Sequence, residues 1–529
     1  MPIPQHVVDR YIRDVGEPLT EYKDLLPLEV EECLATMNPR HRFTVPGFRL
    51  DQKICFLLGA AYPGIMLMTD MGLGKTAVSL ELLTYFYEND YVRRAFILVP
   101  TNELGEGWED EIKKWGFPLP HVRLSYSSSA DKWKQFHDFE DGLIIGTYVG
   151  VGAMVSTLQQ KKDQAGNLED GKKRVVNKAL LRQLTDNVDA TVFDQSTALG
   201  SKTSLSFQVC DALSRKAQIR YALAGRAFGR DAFVLWSQML LVDRGAALGT
   251  SIGMYREAFW RREKHRFGTT WVPRKRKEPD LAKKLARSSI RYAAEECVDL
   301  PSRTDTIKYF SLSEDAWGFY SNISDDLLAA AGNFREVKSS FLRLRQISSG
   351  FVGFVNDDTG EKAQLEFSTN PKLDLLLSIL DEIPEDRKVI IFHEFTFSGS
   401  LICQALNKTK RRFGWLWGGT KNWTEIKDAF NNEPDYRILV ANHKKGGQGL
   451  NLQAASYCIF YESPVSAIQR PECERRIYRV GQKQRTFFYD LVMRNGVDED
   501  ILQFHQDGKD LMKSLVEDPA RYLRKNKGA

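Results

Sequence analysis

Short runs of apolar residues alternate along this chain with longer segments in which apolar residues recur every three or four positions. The short runs are typical of buried strands and the periodic segments of amphipathic helices. Strands that alternate with helices predict parallel sheets with helices on both faces, an α/β fold. The predicted strands are 65–68, 95–99, 142–146, 190–194, 306–312, 389–392, 436–441 and 457–461.

All of these strands except 306–312 form two groups, which predict two α/β domains in tandem with helical insertions. The first domain is predicted over 46–245 and the second over 371–529. Residues 1–45 are predicted to be an N-terminal helical segment, 246–299 a basic helical protrusion, and 300–370 a linker with the helical protrusion of the second domain. The polar stretch 159–179 is predicted to be a solvated, partly disordered excursion.

A glycine-rich loop follows the first apolar run, in the sequence GIMLMTDMGLGKT from Gly64. Gly72 and Gly74 allow the backbone N–H groups to point inward, where they can bind phosphate at a helix N-terminus. Lys75 can reach the outer phosphates, and the Thr76 hydroxyl can bind Mg²⁺. Thr69 stands where the strict pattern has glycine, so the general match is imperfect. We predict a nucleotide site at this loop, against the alternative of an ordinary strand-to-helix turn.

The strand that ends at Asp194 is a second candidate part of the nucleotide and Mg²⁺ site. An acid at the tip of a buried strand is how phosphate-loop enzymes hold Mg²⁺, usually through water. The next position would supply a general base, but Gln195 can orient water and cannot accept its proton. A strand that ends in aspartate for structural reasons alone is the equally good alternative for Asp194. The sequence therefore predicts ATP and Mg²⁺ binding and leaves hydrolysis in doubt.

Polar residues elsewhere suggest contacts to the base and to a nucleic acid. Gln52 carries the acceptor and donors that adenine recognition needs, although a surface glutamine is more often simply solvated. Thr101, Thr147 and Tyr148 follow predicted strands, where their hydroxyls could hold a phosphodiester backbone. Capping of the strand ends is an equally good interpretation of these three residues.

Charge and composition limit the other possibilities. The net charge of +5, from 74 basic and 69 acidic residues, is too small to indicate a polyanion partner by itself. The strongest basic stretch is 255–291, where Arg274 and Lys275 are candidate DNA contacts and tryptophans are interleaved. A solvated charged face is the alternative for that stretch.

The spacing of the cysteines and the hydropathy of the chain indicate in which part of the cell the protein occurs. The seven cysteines are far apart with no CxxC pair, so we expect neither a disulfide framework nor a zinc site. No apolar run approaches the ~18 residues of a membrane span, and the first residues lack a secretory pattern. We expect a protein of the cell interior that does not bind a membrane.

Several segments together resemble the boxes of helicase superfamily two, in the same order over residues 46–505. The box at 472–482 is particular to the Swi/Snf-like DNA-dependent ATPases, and the compact layout resembles the small versions in phages and bacteria. The matching segments are TDMGLGKT at 69–76, the residues Val99, Pro100, Trp108, Glu111 and Trp115, DQST at 194–197, LAGRA at 223–227, GGQGLNL at 446–452 and ECERRIYRVGQ at 472–482.

The resemblance implies two RecA-like parallel-sheet lobes that use ATP and Mg²⁺. Arg476 and Arg479 would act as arginine fingers, since two arginines three residues apart share a helix face. Without the resemblance, a salt bridge would be the expected role for either arginine. The implied nucleotide contacts are Gln52, Met71, Gly72, Leu73, Gly74, Lys75, Thr76, Gly447 and Gln448; the implied DNA contacts add Lys444, Lys445 and Asn451 to the threonines, tyrosine and basic residues above.

Three positions depart from the family pattern. Gln195 replaces the catalytic glutamate, Arg226 and Ala227 replace a Thr-Pro pair, and Glu472 replaces a glutamine. Glutamine is isosteric with glutamate, so Gln195 fits natural drift and a deliberate trap of the ATP-bound state equally well. Arg226 could contact phosphate or block coupling between the lobes.

By resemblance, the expected function is DNA-stimulated ATP hydrolysis that drives translocation on duplex or branched DNA. One alternative is an ATP- and DNA-binding clamp or scaffold with little turnover, and the other is a branch-migration or annealing helicase. We expect a monomer in the cytoplasm of a bacterial host cell. The sequence names no protein partner, no preferred DNA structure and no strand-separating element.

Overall fold

The protein is represented by a computed structural model, which describes residues 5–13, 17–37, 42–124, 128–162, 168–199, 201–225, 232–265, 268–329, 334–355, 362–446, 452–466 and 469–507. The chain divides into two compact units, with the boundary between Val298 and Asp299. We call the N-terminal unit lobe 1 and the C-terminal unit lobe 2. The prediction of two parallel-sheet α/β lobes in tandem is confirmed.

Lobe 1 contains thirteen α-helices and eleven strands among its described residues. The helices are α1 (Gln5–Arg13), α2 (Pro27–Met37), α3 (Leu50–Ala61), α4 (Lys75–Glu88), α5 (Asn102–Trp115), α6 (Ser129–Asp138), α7 (Tyr148–Met154), α8 (Lys178–Thr185), α9 (Leu205–Lys216), α10 (Ala232–Asp243), α11 (Ile252–Phe259), α12 (Glu278–Leu285) and α13 (Ala294–Cys297). The strands are β1 (Gly64–Thr69), β2 (Arg94–Val99), β3 (His121–Leu124), β4 (Gly142–Thr147), β5 (Ser156–Lys162), β6 (Leu168–Val176), β7 (Ala190–Asp194), β8 (Ile219–Leu223), β9 (Trp260–His265), β10 (Gly268–Pro273) and β11 (Ser289–Tyr292).

Seven of these described strands form the central sheet, in the order β11-β1-β8-β7-β2-β4-β3. Every pairing among them is parallel. Strands β1, β2 and β7 are buried along nearly their whole length, as expected for a sheet covered on both faces. Their carboxyl ends therefore meet at one edge, where ligands bind in such sheets.

The segment 246–299 differs from the helical protrusion that the sequence predicted. It contains the two-stranded β9–β10 ribbon between two short helices, and its last strand, β11, joins the central sheet beside β1. The apolar residues of β11 are Ile290 and Tyr292, both buried, and Ile290 lies opposite Leu67 of β1. Such a short strand at a sheet edge gives little periodic signal.

The described part of the segment 159–179 is more regular than the partly disordered excursion that was predicted, while Gln159 and Gln160 are exposed as expected. Strands β5 and β6 pair antiparallel, from Ser156 opposite Val176 to Lys162 opposite Leu168. Ladder hydrogen bonds between main-chain groups hold this ribbon, and they do not depend on apolar side chains. A polar ribbon is therefore invisible to the hydrophobic pattern.

Lobe 2 contains eight α-helices and eight strands among its described residues. The helices are α14 (Glu314–Ala329), α15 (Phe334–Ser348), α16 (Pro371–Glu382), α17 (Thr396–Lys408), α18 (Trp423–Asn432), α19 (His443–Gly446), α20 (Gln469–Glu474) and α21 (Val497–Asp507). The strands are β12 (Arg303–Phe310), β13 (Phe351–Val355), β14 (Lys362–Glu366), β15 (Lys388–His393), β16 (Phe413–Leu416), β17 (Ile438–Asn442), β18 (Ala455–Phe460) and β19 (Thr486–Met493).

Six described strands of lobe 2 form its parallel sheet, in the order β12-β19-β18-β15-β17-β16. Strand β12 lies in the segment that the sequence assigned to a linker, yet it pairs with β19 along its full length. Its alternating exposed and half-buried residues fit an edge position. Among the described residues, no helix is both long and apolar enough to cross a membrane.

Candidate nucleotide site

The glycine-rich loop connects β1 to α4 at the carboxyl edge of the lobe 1 sheet. Gly72 has φ +89° and Gly74 has φ +82°, in the left-handed region that glycine adopts without strain. Gly74 is the residue that precedes the first turn of α4. The α4 N-terminus therefore points its N–H groups and its partial positive charge toward this loop, as a phosphate cradle requires.

Lys75 opens helix α4, and its ammonium group lies within the loop. It donates hydrogen bonds to the carbonyl oxygens of Thr69, at 2.5 Å, and Asp70, at 3.0 Å. Thr76 follows on the first turn and is half-buried. An ammonium and a hydroxyl at these two positions fit a phosphate chain and its magnesium ion.

Gln52 lies under the loop rather than at an open surface. Its amide oxygen accepts from the backbone N–H of Arg49 at 3.0 Å, and its amide nitrogen donates to the carbonyl oxygen of Leu73 at 3.2 Å. Arg49 donates to the same carbonyl at 3.0 Å and pairs with Asp51 through two hydrogen bonds of 2.8 and 2.9 Å. This brace of the loop was missed by sequence analysis, because nothing in the local sequence marks Arg49.

Asp194 ends β7 at the same edge of the sheet and is 9% exposed. Its Oδ2 accepts from Trp108 Nε1 at 3.0 Å, and its Oδ1 accepts from the backbone N–H of Gln195 at 2.8 Å. Burial raises the pKa of Asp194, while the Trp108 hydrogen bond, the positive charge of Lys75 and the Gln195 N–H act in the opposite direction. Lys75 follows β1 and Asp194 ends β7, and β8 alone separates these two parallel strands in the sheet, so the two predicted nucleotide-binding groups share one edge.

Gln195 adopts a left-handed conformation, with φ +46°. Non-glycine residues with positive φ are uncommon and store strain at functional turns. The side chain is half-buried, and the following Ser196 hydroxyl donates to Gln238 Oε1 at 2.8 Å. The turn after Asp194 is thus fixed by its own backbone and by helix α10.

The candidate DNA contacts of lobe 1 have different surroundings. Thr101 is half-buried at the N-terminus of α5 and makes no capping hydrogen bond. The Thr147 hydroxyl accepts from the Gly150 N–H at 3.0 Å and caps the N-terminus of α7, directly after β4. Tyr148 is only 4% exposed, and its hydroxyl donates to the carbonyl oxygen of Asp194 at 2.8 Å. We therefore revise Tyr148 from a DNA contact to a support of Asp194.

Arg274 and Lys275 are exposed at the end of the β9–β10 ribbon. The Arg274 Nε donates to the carbonyl oxygen of Trp260 at 2.9 Å. The guanidinium groups of Arg256 and Arg262 lie over the Trp271 ring, at 5.6 and 4.9 Å from its centroid. These contacts order a cationic surface around an aromatic ring.

In lobe 2, the predicted arginine fingers do not share a helix. Helix α20 ends at Glu474, and Arg476 and Arg479 lie in the turns that follow. The carbonyl oxygen of Glu474 accepts from the N–H groups of Ile477, at 3.2 Å, and Tyr478, at 3.0 Å, so one further turn follows the helix and Arg479 lies beyond that turn. The expectation of a shared helix face is wrong for this reason.

Arg476 is 3% exposed, whereas Arg479 is half-buried. Burial, and secondly the nearby charge of Arg479, lowers the pKa of Arg476 to about 10, so the guanidinium stays protonated near neutral pH. The nearby charge of Glu472 acts on Arg476 in the opposite direction. Arg470 on α20 instead forms a structural pair, with its Nη2 2.8 Å from Asp490 Oδ2.

Lys444 is exposed after β17, and its backbone N–H bonds to Asn442 Oδ1 at 3.1 Å. The Lys445 side chain lies outside the described residues. The remaining predicted positions outside the described residues are Gly447, Gln448, Asn451, Arg226 and Ala227. The roles given to these residues stay predictions.

Metal binding at the site would depend on Thr76 and Asp194, which supply the oxygen ligands that Mg²⁺ prefers. Among the described residues, no cluster of three or more His, Cys, Asp or Glu could hold a metal ion. Met71 is half-buried in the loop, and Leu73 is buried beneath it. The loop, Lys75, Thr76 and Asp194 therefore form the candidate site.

Comparison with known proteins places this site in a family. An uncharacterized ATP-dependent helicase of Mycoplasma genitalium, MG018, is 24% identical over 471 residues, which are 86% of this chain and 40% of that protein. The Xenopus tropicalis SWI/SNF-related regulator of chromatin, subfamily A containing DEAD/H box 1, is 23% identical over 499 residues, 84% of this chain and 47% of that protein. The chain thus spans less than half the length of these curated relatives.

A solved structure, the Sulfolobus solfataricus SWI2/SNF2 ATPase core in complex with dsDNA, is 19% identical and covers 92% of this chain and 99% of its own, with a TM-score of 0.38. That score is too low for residue roles to be transferred. The SNF2-related domain profile matches residues 51–350, more than half of the 529 residues, and includes the loop and Asp194. The chain therefore belongs to the SNF2-related domain family.

Proposed function

We propose that this chain is a Mg²⁺-dependent, DNA-stimulated ATPase that translocates on duplex or branched DNA. The observation that carries the proposal is the position of two groups at one sheet edge: Lys75 opens the helix after β1, Asp194 ends β7, and the parallel strand β8 lies between β1 and β7. The relatives named as ATP-dependent helicases support it. The compact layout and the Mycoplasma relatives favour the phage and bacterial type.

Each residue of the site has a separate role in this proposal. Lys75 exchanges its two carbonyl partners for phosphate oxygens, and Thr76 with Asp194 holds Mg²⁺, whose charge stabilises the transferred phosphoryl group. Arg476 and Arg479 supply the cationic charge that an arginine finger contributes. Gln52 contacts adenine after its amide changes partners.

DNA binding is assigned to exposed basic groups and to the end of β2. Arg274 and Lys275 are exposed beside the Trp271 cluster, Lys444 is exposed after β17, and Thr101 lies after β2. Contacts of this kind bind the phosphate backbone without sequence preference. Replacing Arg274 and Lys275 by alanine should weaken DNA binding equally for all sequences. The slope of the logarithm of the binding constant against the logarithm of the salt concentration should become less steep by about 1 for each phosphate contact that is lost. The control is Lys216→Ala, whose ammonium already pairs with Asp186 at 3.2 Å.

Gln195 favours a second candidate, a clamp that binds ATP and DNA and turns over slowly. A missing general base typically costs ~10² to 10⁴ in rate. Phosphate release discriminates between the two, measured with single-stranded, linear duplex, forked and four-way DNA. A motor releases phosphate faster with duplex DNA and loses this release in Lys75→Ala, whereas a clamp binds both ligands with no stimulation. Stimulation by forked or four-way DNA alone would instead indicate a branch-migration enzyme.

A further inference from the structure

The carboxylate of Asp194 is held from two sides by N–H donors. Trp108 Nε1 donates to one oxygen at 3.0 Å, and the Gln195 backbone N–H donates to the other at 2.8 Å. A carboxylate has about four acceptor positions, so these two hydrogen bonds leave room for a further partner on each oxygen. The hydrogen bonds therefore fix where those remaining positions point.

The main chain of Asp194 is held as well. The Tyr148 hydroxyl donates to the Asp194 carbonyl oxygen at 2.8 Å. Tyr148 opens the helix after β4 and Trp108 lies on the helix after β2, and β2 pairs with both β4 and β7. Residues from two neighbouring strand–helix units thus converge on the end of β7.

Both donors are buried, at 1% exposure for Trp108 and 4% for Tyr148. An indole N–H or a phenol hydroxyl in the interior normally finds a hydrogen-bond partner, and here each finds an atom of Asp194. Packing alone would not require that the polar ends of two aromatic side chains meet at one acid. Trp108 thus contacts the carboxylate directly, as outer-shell partners of metal ligands do, and Tyr148 fixes the main chain that carries it.

We propose that Trp108 and Tyr148 are positioning residues that hold the Asp194 carboxylate in the orientation needed to bind Mg²⁺ beside the nucleotide. This inference rests on the proposed function, since it concerns the same site. Mg²⁺ demands near-ideal octahedral geometry, so a small rotation of the carboxylate lowers affinity. Loss of such an outer-shell partner typically costs about 10- to 100-fold in metal affinity, and we expect a change of that size here.

The chain offers matched controls for the two substitutions that test this role. Trp108→Phe removes the indole N–H, and Trp115→Phe makes the same change on the same helix, where Nε1 donates to Glu111 at 2.7 Å. Tyr148→Phe removes only a buried hydroxyl, and Tyr221→Phe removes another, which donates to the carbonyl oxygen of Gly59 at 2.6 Å. The controls reproduce the chemical change without contact to Asp194.

The experiment is calorimetric titration of the full chain with the non-hydrolysable ATP analogue AMP-PNP, in EDTA and at a series of MgCl₂ concentrations. Trp108→Phe and Tyr148→Phe should bind the analogue like the unmodified chain in EDTA. The two variants should need about 10- to 100-fold more Mg²⁺ to reach the full affinity for AMP-PNP that the unmodified chain shows. Trp115→Phe and Tyr221→Phe should show the Mg²⁺ dependence of the unmodified chain.

The outcomes separate the inference from the function on which it rests. If the unmodified chain gains no affinity with Mg²⁺, the proposed function fails. If it gains affinity and both test variants keep its Mg²⁺ dependence, the positioning role is overturned and the contacts are only structural. Trp108→Phe leaves a small void, which could prevent folding. In that case the Mg²⁺ dependence of Tyr148→Phe alone tests the positioning role.

Discussion

The side-chain amide of Gln52 donates a hydrogen bond to the carbonyl oxygen of Leu73 at 3.2 Å, and this bond ties α3 to the glycine-rich loop. Arg49 donates to the same oxygen at 3.0 Å. The loop is therefore braced by two side chains from one neighbouring segment. A nucleotide that engages the Gln52 amide must change this brace, which links recognition of the base to the conformation of the phosphate loop.

Replacing Gln52 by alanine should weaken binding of ADP and reduce the preference for ADP over GDP. The loop should still fold, since Arg49 continues to satisfy the Leu73 carbonyl. Equilibrium titration with both nucleotides measures the effect. The control Gln404→Ala removes an amide that bonds only to Ser400 on an exposed helix face. Equal loss for both nucleotides would contradict a role in base recognition.

Gly74→Ala should abolish nucleotide binding. The φ of +82° is unfavourable for alanine, and a Cβ would lie 2.3 Å from Gln52 Nε2. The matched substitution Gly107→Ala places a methyl group in open space on the exposed face of α5. It should leave binding unchanged and stabilise the lobe by about 0.5–1 kcal/mol. Titration with ADP and urea denaturation of both variants test this contrast, and tight binding by Gly74→Ala would contradict it.

Arg476→Ala should lower DNA-stimulated phosphate release by about 10³-fold or more, because an arginine finger acts on the charge of the transition state. Affinity for AMP-PNP should change far less. The measurement is best made in a Gln195→Glu background, where turnover is expected to be higher. The control is Arg485→Ala, an exposed arginine that bonds to the Thr304 hydroxyl at 2.9 Å. Equal rates for the two variants would argue for a structural Arg476.

His443 predicts a pH dependence of stability in lobe 2. It is 1% exposed, with the rings of Phe392 and Phe460 at 6.0 and 6.2 Å. Burial lowers the pKa of His443 to about 3. The charge of Glu394 acts to raise this pKa, whereas the charges of His393 and Arg345 lower it further. The imidazole is therefore neutral in the folded lobe over the ordinary pH range.

In the unfolded chain this imidazole takes up a proton near its usual pKa of about 6.5. The unfolded state thus binds more protons between about pH 6.5 and about pH 3, and the free energy of unfolding falls as the pH is lowered through that window, by at most about 1.4 kcal/mol per pH unit. Urea denaturation should show a flatter pH dependence for His443→Asn than for the unmodified chain. The exposed control His137→Asn should not flatten it. Identical slopes for the two variants would contradict the assignment.

The elements that the sequence predicted well are those with a local signal. The loop around Lys75 and the strand that ends at Asp194 are both contiguous in sequence, so apolar runs and glycines were sufficient to locate them. The hydrogen bond between Trp108 and Asp194 joins residues 86 positions apart. Only the sheet order, which places β2 beside β7, brings them together.

The differences have physical reasons of the same kind. Tyr148 follows a strand, as a ligand-binding residue would, but its side chain turns into the core and supports Asp194. The ribbon of β5 and β6 is held by main-chain hydrogen bonds that no side-chain pattern records. The arginines Arg476 and Arg479 have helical spacing, yet the helix ends before them.

The most direct test of the ATPase account is phosphate release with and without duplex DNA, compared between the unmodified chain and Gln195→Glu. The account predicts weak DNA-stimulated release from the unmodified chain and a rise of about 10² to 10⁴-fold when a carboxylate follows Asp194, abolished again by Lys75→Ala. A Gln195→Glu chain that binds ATP and DNA yet releases phosphate no faster than the unmodified chain would contradict the account.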